Sequence, residues 1–294
     1  MQITVLGAGT MGQGIAQVSS MAGHDVTIRD IEEEIVADAL SAIEQTLTKG
    51  VELGKVDAEK ATATMERLSG TTALESAVAD ADLVIEAVPE NIELKRETMQ
   101  AVESVVDTDT VLASNTSSLP LTEIASATTH SERVIGLHFF NPVHLMGLVE
   151  IVVPEQANEE TVTFAHEFVA DIGKTAIEVT DSPGFASSRL GVSLGLEAMR
   201  MLESGVASPR DLDTAMELGY NHPVGPLELT DIVGLDVRLG VLEHLREELG
   251  ERFRPPQILK QKVRAGNLGK KTGEGFYIWD GDDRIEASGE WGEN

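Results

Sequence analysis

Hydrophobic and polar positions follow two successive patterns along this chain. Residues 3–6, 25–29, 83–87, 110–113, 133–137, 148–153 and 175–179 are short apolar or β-rich runs and predict strands. Between them, residues 12–22, 91–105 and 159–172 read as helices, and residues 120–125 as a short one. From residue 185 the strand signal stops. Residues 187–203, 209–218, 225–232, 235–249 and 256–265 read as helices, and Leu190, Leu194, Leu196 and Met199 form an apolar face on the first of them. Two domains are expected, with an α/β domain over residues 1–181 and an all-α domain over residues 182–294. Residues 280–294 are polar and acidic and are expected to be poorly ordered.

The first strand is followed at once by Gly7-Ala8-Gly9-Thr10-Met11-Gly12, then a helix, then a strand closing on Asp30. A glycine pattern of this kind is weak alone. Between a strand and a helix, with an acidic residue ending the second strand, it predicts a Rossmann-type dinucleotide site. Gly7 permits the turn, Gly9 lets the backbone approach a pyrophosphate, and Gly12 allows close helix packing. Asp30 would accept from ribose hydroxyls and repel a 2′-phosphate, which favours NAD over NADP; Arg29 beside it leaves NADP open. Residues 31–47 and 57–68 then predict two polar helices, read as an insertion projecting from the sheet. Lys49 and Lys55 at their junction are candidates to anchor an anionic group of a long substrate.

Charge narrows the partners. The chain has 50 Asp and Glu against 22 Lys and Arg, a formal net of −28. Such a surface argues against nucleic acid and anionic membranes, and is read as an adaptation to high salt. There is no cysteine, which excludes disulfides and thiolate chemistry. No apolar run reaches membrane-spanning length, and a strand at Gln2 leaves no room for a signal peptide, so a cytoplasmic protein is expected.

The candidate chemistry lies at L-H-F-F-N-P-V-H-L-M-G-L-V-E, residues 137–150. It sets His138 and Glu150 on two apolar segments joined through Asn141-Pro142. Imidazole titrates near neutrality and a carboxylate fixes its tautomer, so the pair suits a base that takes a hydroxyl proton while hydride leaves carbon. Ser114-Asn115-Thr116-Ser117-Ser118 follows a strand's carboxyl end, where ligands sit in such sheets. No histidine pair has metal-ligand spacing, and no metal is expected.

Several long motifs in order give the chain a strong resemblance to the 3-hydroxyacyl-CoA dehydrogenase family. They are V-L-G-A-G-T-M-G, V-I-E-A-V-P-E-N, A-S-N-T-S-S-L, L-H-F-F-N-P-V, D-S-P-G-F, H-P-V-G-P-L-E-L and V-R-A-G-N-L-G-K-K-T-G-E-G-F-Y. The resemblance is nearest to monofunctional 3-hydroxybutyryl-CoA dehydrogenases. It implies an NAD enzyme of β-oxidation that turns (S)-3-hydroxyacyl-CoA into 3-oxoacyl-CoA; the apolar helix faces of the C-terminal domain add the expectation of a soluble homodimer formed through it. It also implies that His138 is the base, Glu150 its orienting carboxylate, and Ser117 a contact to substrate and nicotinamide. Asn141 would lie against the nicotinamide; Glu90, Lys95 and Lys271 would be cofactor positions; Lys49 and Lys55 would face CoA. One departure is Ser188, which stands where the family has an active-site asparagine. A gulonate-type dehydrogenase of a sugar acid, or a catalytically silent NAD-binding protein, are the competing readings.

Overall fold

A computed structural model describes residues 1–288. The chain divides into two compact units, Met1–Ser182 and the residues from Pro183 onward.

The first unit is a sheet of eight strands: β1 (Gln2–Leu6), β2 (Asp25–Arg29), β3 (Leu68–Thr71), β4 (Leu83–Glu86), β5 (Val111–Ser114), β6 (Val134–Phe139), β7 (Leu148–Val153) and β8 (Thr175–Thr180). Their order is β3-β2-β1-β4-β5-β6-β7-β8, and every neighbouring pair is parallel except β6 with β7. The order reverses between β1 and β4, so a crevice opens where their carboxyl ends diverge. Helices α1 (Thr10–Met21), α2 (Glu33–Glu52), α3 (Ala58–Glu66), α4 (Leu74–Val78), α5 (Ile92–Glu103), α6 (Leu121–Ala125) and α7 (Glu159–Asp171) connect the strands. The central strands are apolar on both faces because helices cover the sheet: Ile3, Val5, Ile28, Leu83, Ile85 and Ile135 are all buried.

The two polar helices form the hairpin the sequence predicts, packed on the core. They are α2 and α3, the crossover from β2 to β3, which pair in parallel. Ala39, Ile43 and Leu47 of α2 join the same core as Ile15 and Val18 of α1, and Ser20 Oγ donates to Thr64 O at 2.7 Å. The sequence L-S-G-T of β3 has no apolar run, being an edge strand, and so gave no signal; the five-residue α4 was equally silent.

The second unit is mostly helical: α8 (Ser187–Glu203), α9 (Pro209–Tyr220), α10 (Pro226–Val233), α11 (Leu235–Leu249) and α12 (Gln257–Ala265). It is not all-α. An antiparallel ribbon of β9 (Tyr277–Asp280) and β10 (Asp283–Ala287) completes it, and β10 lies in the stretch 280–294 whose polarity predicted disorder. Side-chain chemistry explains the order. The Asp231 carboxylate, 1% exposed, accepts from the backbone N–H of Phe276 and Tyr277 at 2.8 and 2.9 Å and from Trp279 Nε1 at 3.0 Å. Asp213 accepts from Leu227 N and Glu228 N at the start of α10, and from the Tyr277 hydroxyl at 2.7 Å. Two buried carboxylates thus tie α9, α10 and the ribbon together. The rest of the expected disordered tail, residues 289–294, lies outside the described residues.

Candidate active site

The turn after β1 is fixed by close approaches. Gly7 has φ +100°, and a Cβ there would lie 2.6 Å from the Ala87 carbonyl oxygen; one on Gly12 would lie 1.8 Å from Gly7 O. Nothing lies within 4 Å of a side chain built on Gly9, and α1 begins at Thr10 without a side-chain cap. Uncapped N–H groups at a helix start beside an open glycine fit a pyrophosphate. Met11 follows in the same first turn. Asp30, after β2, holds this turn: Oδ2 accepts from Ala8 N and Oδ1 from Ile31 N, both at 2.7 Å. Arg29 Nε donates to Thr72 O at 3.1 Å.

Beyond β4 and β5 lies a second constellation. Glu90 Oε1 accepts from Thr116 Oγ1 at 2.7 Å, Ser117 N at 2.9 Å and Ser118 N at 3.2 Å. Burial would raise the Glu90 carboxyl, but the Lys95 ammonium and these hydrogen bonds outweigh it and hold it below its usual range. Lys95 is buried, with Nζ 2.7 Å from Glu86 Oε1 and 3.3 Å from Glu90 Oε2. Glu86 is fully buried. Sequence reasoning singled out Glu90 and Lys95 but passed over Glu86; the signal available was a lone charge inside the apolar strand V-I-E-A.

His138 and Glu150 face each other as direct partners in the register of β6 and β7. The Nδ1 to Oε2 distance is 2.7 Å, with the histidine 5% and the glutamate 0% exposed. The imidazole leans on Phe140, with ring centroids 4.6 Å apart. Asn115 Oδ1 accepts from Phe139 N at 2.9 Å and so joins the end of β6 to the loop carrying Ser117. Because β6 runs parallel to β5, His138 sits toward the same sheet edge as the glycine turn. The Asn141-Pro142 peptide is cis, and Asn141 lines a pocket of about 140 Å³ with Thr10 and Gln13 of α1 and with His144.

A cleft of about 770 Å³ runs between the α2–α3 hairpin and the loop after β6. Lys49, Lys55, Lys60 and Lys174 all line it, in a chain with only 22 basic residues. The sequence pointed to the first two. Lys60 and Lys174 join them through folding alone, and no local pattern announced them. Lys174 Nζ donates to Val143 O and Met146 O, each at 2.6 Å, and burial lowers its ammonium below the usual range. Burial, with Lys174 adding to it, likewise lowers His144. Ser188 and Lys271 belong to the second unit. Ser188 is half-buried in the first turn of α8, and Lys271 is ion-paired with Asp236 at 2.6 Å.

The profile of the 3-hydroxyacyl-CoA dehydrogenase NAD binding domain matches residues 2–182, and that of the family's C-terminal domain matches residues 184–279. A probable 3-hydroxybutyryl-CoA dehydrogenase of Bacillus subtilis is 43% identical over 280 residues, covering 95% of this chain and 97% of its own. The mitochondrial hydroxyacyl-coenzyme A dehydrogenase of Mus musculus is 43% identical over 282 residues, 94% of this chain and 90% of its own. The crystal structure of the (S)-3-hydroxybutyryl-CoA dehydrogenase of Ralstonia eutropha superposes with a TM-score of 0.92 at 36% identity, covering 95% and 99% of the two chains. With the glycine cradle, the domain profiles and full-length relatives in agreement, the chain belongs to the 3-hydroxyacyl-CoA dehydrogenase family and is an NAD-dependent oxidoreductase.

Proposed function

We propose that the protein oxidises (S)-3-hydroxyacyl-CoA to 3-oxoacyl-CoA, with His138 as general base and Glu150 as its orienting carboxylate. The observation that carries this reading is the buried 2.7 Å His138–Glu150 pair at the sheet edge that also bears the glycine turn. Bound NAD supplies the acceptor for the hydride that leaves C3. The Nδ1–H of His138 donates to Glu150, which leaves the Nε2 lone pair to take the C3 hydroxyl proton. The C3–H and O–H bonds break, the carbonyl forms, and the products are 3-oxoacyl-CoA, NADH and a proton. Glu150 offsets the charge of the imidazolium while it lasts, and in the reverse direction the imidazolium returns its proton to the 3-oxo oxygen.

Ser117 and Asn141 hold the hydroxyl and the nicotinamide end in register, which is the proximity contribution to the rate. Gly7, Gly9, Thr10, Met11 and Gly12 cradle the pyrophosphate. Asp30, already bonded to the turn, presents its carboxylate to the adenosine ribose, while Glu90, Lys95 and Lys271 complete the cofactor set. Ser188 takes the place of the family asparagine on the substrate side.

The cleft bearing Lys49 and Lys55 supports a CoA thioester over a sugar acid, because cations gathered on an acidic protein suit nucleotide phosphates. The second unit exposes Leu190, Leu218 and Tyr220 at 71%, 82% and 75%, which supports a homodimer formed through it. The acidic composition supports work at high salt.

The test is NADH formation from (S)-3-hydroxybutyryl-CoA by wild type and by His138→Ala, with NAD affinity measured separately. Wild type should turn over, and the variant should lose about 10²- to 10⁴-fold in kcat while still binding NAD. Full turnover by the variant would remove His138 from the mechanism.

A further inference from the structure

We infer that Glu86 is a positioning residue for this reaction, acting through Ser117; the inference rests on the reading above that Ser117 meets substrate and nicotinamide. Glu86 closes β4, next to the crevice where the strand order reverses, and is 0% exposed. Its side chain is shut away from solvent, yet its two oxygens reach three different elements. Oε1 accepts from Lys95 Nζ of α5 and from Val88 N, and Oε2 from Ser114 Oγ at the end of β5, each at 2.7 Å.

From Glu86 two chains of contacts lead to the Ser117 loop. One runs through Ser114, whose hydroxyl accepts from Thr116 N at 3.3 Å. The other runs through Lys95 to Glu90, whose Oε1 accepts from Thr116 Oγ1 and from the N–H of Ser117 and Ser118. Both chains converge on Thr116 and the two residues after it, the stretch that carries Ser117. A further link joins this frame to the cofactor turn, since Ala87, the next residue, is the backbone against which Gly7 closes.

The energetics favour positioning over stability as the purpose. A buried ion pair gains little net free energy, because desolvation of both charges offsets their attraction, and an apolar replacement of similar volume often folds as well. What an ion pair with fixed hydrogen bonds supplies is direction. Here one ammonium serves two carboxylates, so Lys95 keeps a partner in Glu90 when Glu86 is neutralised. The lesion then falls on the geometry of the loop and does not strand a buried charge.

The experiment is steady-state kinetics of the full-length enzyme with (S)-3-hydroxybutyryl-CoA and NAD for Glu86→Gln, Ser114→Ala and Ser117→Ala, and for Glu86→Gln combined with Ser117→Ala. Glu86→Gln should lower kcat by about 10- to 100-fold and leave both KM values within about threefold. On the Ser117→Ala background it should have no further effect, since contributions that pass through one group do not multiply. Ser114→Ala, a smaller change that cuts only one of the two chains, should show the same split at about 3- to 10-fold, and it decides the matter if Glu86→Gln does not fold. Unchanged kcat, or losses that multiply in the double variant, would overturn the role of Glu86 while an active wild type keeps the reaction assignment. A wild type inactive on every 3-hydroxyacyl-CoA would instead overturn the assignment, and this inference with it.

Discussion

The proposed mechanism calls for a carboxylate at position 150, not merely an acceptor. A glutamine could still accept from His138 Nδ1–H, but it could not offset an imidazolium buried at 5% exposure. Glu150→Gln should therefore lower kcat by about 10- to 100-fold, less than His138→Ala, with NAD affinity unchanged in direct titration. An equally inactive but folded Glu150→Gln would give the carboxylate the larger part. Position 188 carries serine where the resemblance to the family places an active-site asparagine. Serine has one hydroxyl where asparagine has a two-ended amide. Ser188→Asn should shift kcat or acyl-chain preference and leave NAD affinity alone, because α8 carries none of the glycine turn; identical constants across an acyl-CoA series would take the position out of the substrate site. His138, Glu150 and Ser117 could be named from sequence because their chemistry is local to a motif. Glu86 offered only a lone charge in an apolar strand, and Lys60 and Lys174 offered nothing local, because the cleft they line is assembled from elements far apart along the chain.

At the scale of elements, the apolar runs gave away the buried strands and the helix spacing gave the helices around them. The misses fell at β3 and at the C-terminal ribbon. β3 shows no apolar alternation, and β9–β10 is a ribbon held by a carboxylate that precedes it by more than forty residues. Pattern reading cannot see such an anchor. Asp231→Asn should expose how much it contributes: the amide NH₂ would confront N–H donors that the carboxylate now satisfies, and unfolding free energy of the second unit should fall by about 3 kcal/mol. Denaturant melts followed by Trp279, which donates to Asp231, would report it directly. A loss under 1 kcal/mol would mean the ribbon is held by apolar packing of Phe276, Tyr277 and Trp279 alone.

Across the whole molecule, charge dominates. At −28 the native chain repels itself, and salt should relieve that repulsion. The thermal midpoint should rise steadily as KCl is raised from about 0.1 to 1 M, where the Debye length shrinks from about 10 to about 3 Å; a flat or falling midpoint would end the high-salt reading. Acid should affect the two units in opposite ways. Burial raises the carboxyls of Asp213, Asp231 and Glu228, so the native second unit takes up protons before the unfolded chain does. Its stability gains as pH falls from neutrality toward their ordinary values of 3.8 and 4.5. Glu90 and Glu103 in the first unit are lowered despite burial, by hydrogen bonds and by Lys95 or Arg133. Their contribution is complete above 4.5 and is lost as pH drops below it. Unit-resolved hydrogen exchange between pH 7 and about 4 should show protection rising in the second unit relative to the first.

The pairing of His138 with Glu150 is set by strand register, though twelve residues separate them along the chain. That gives the enzyme an unusual freedom to evolve. Residues 142–147 can lengthen, shorten or change character without separating His138 from Glu150, because the two are aligned by the ladder and not by the loop. A single-residue insertion or deletion inside β7 is a different event, since it turns Glu150 to the opposite face and brings an apolar neighbour, Val149 or Ile151, opposite the histidine. Substrate range can thus drift in the loop while the chemistry stays locked in the sheet.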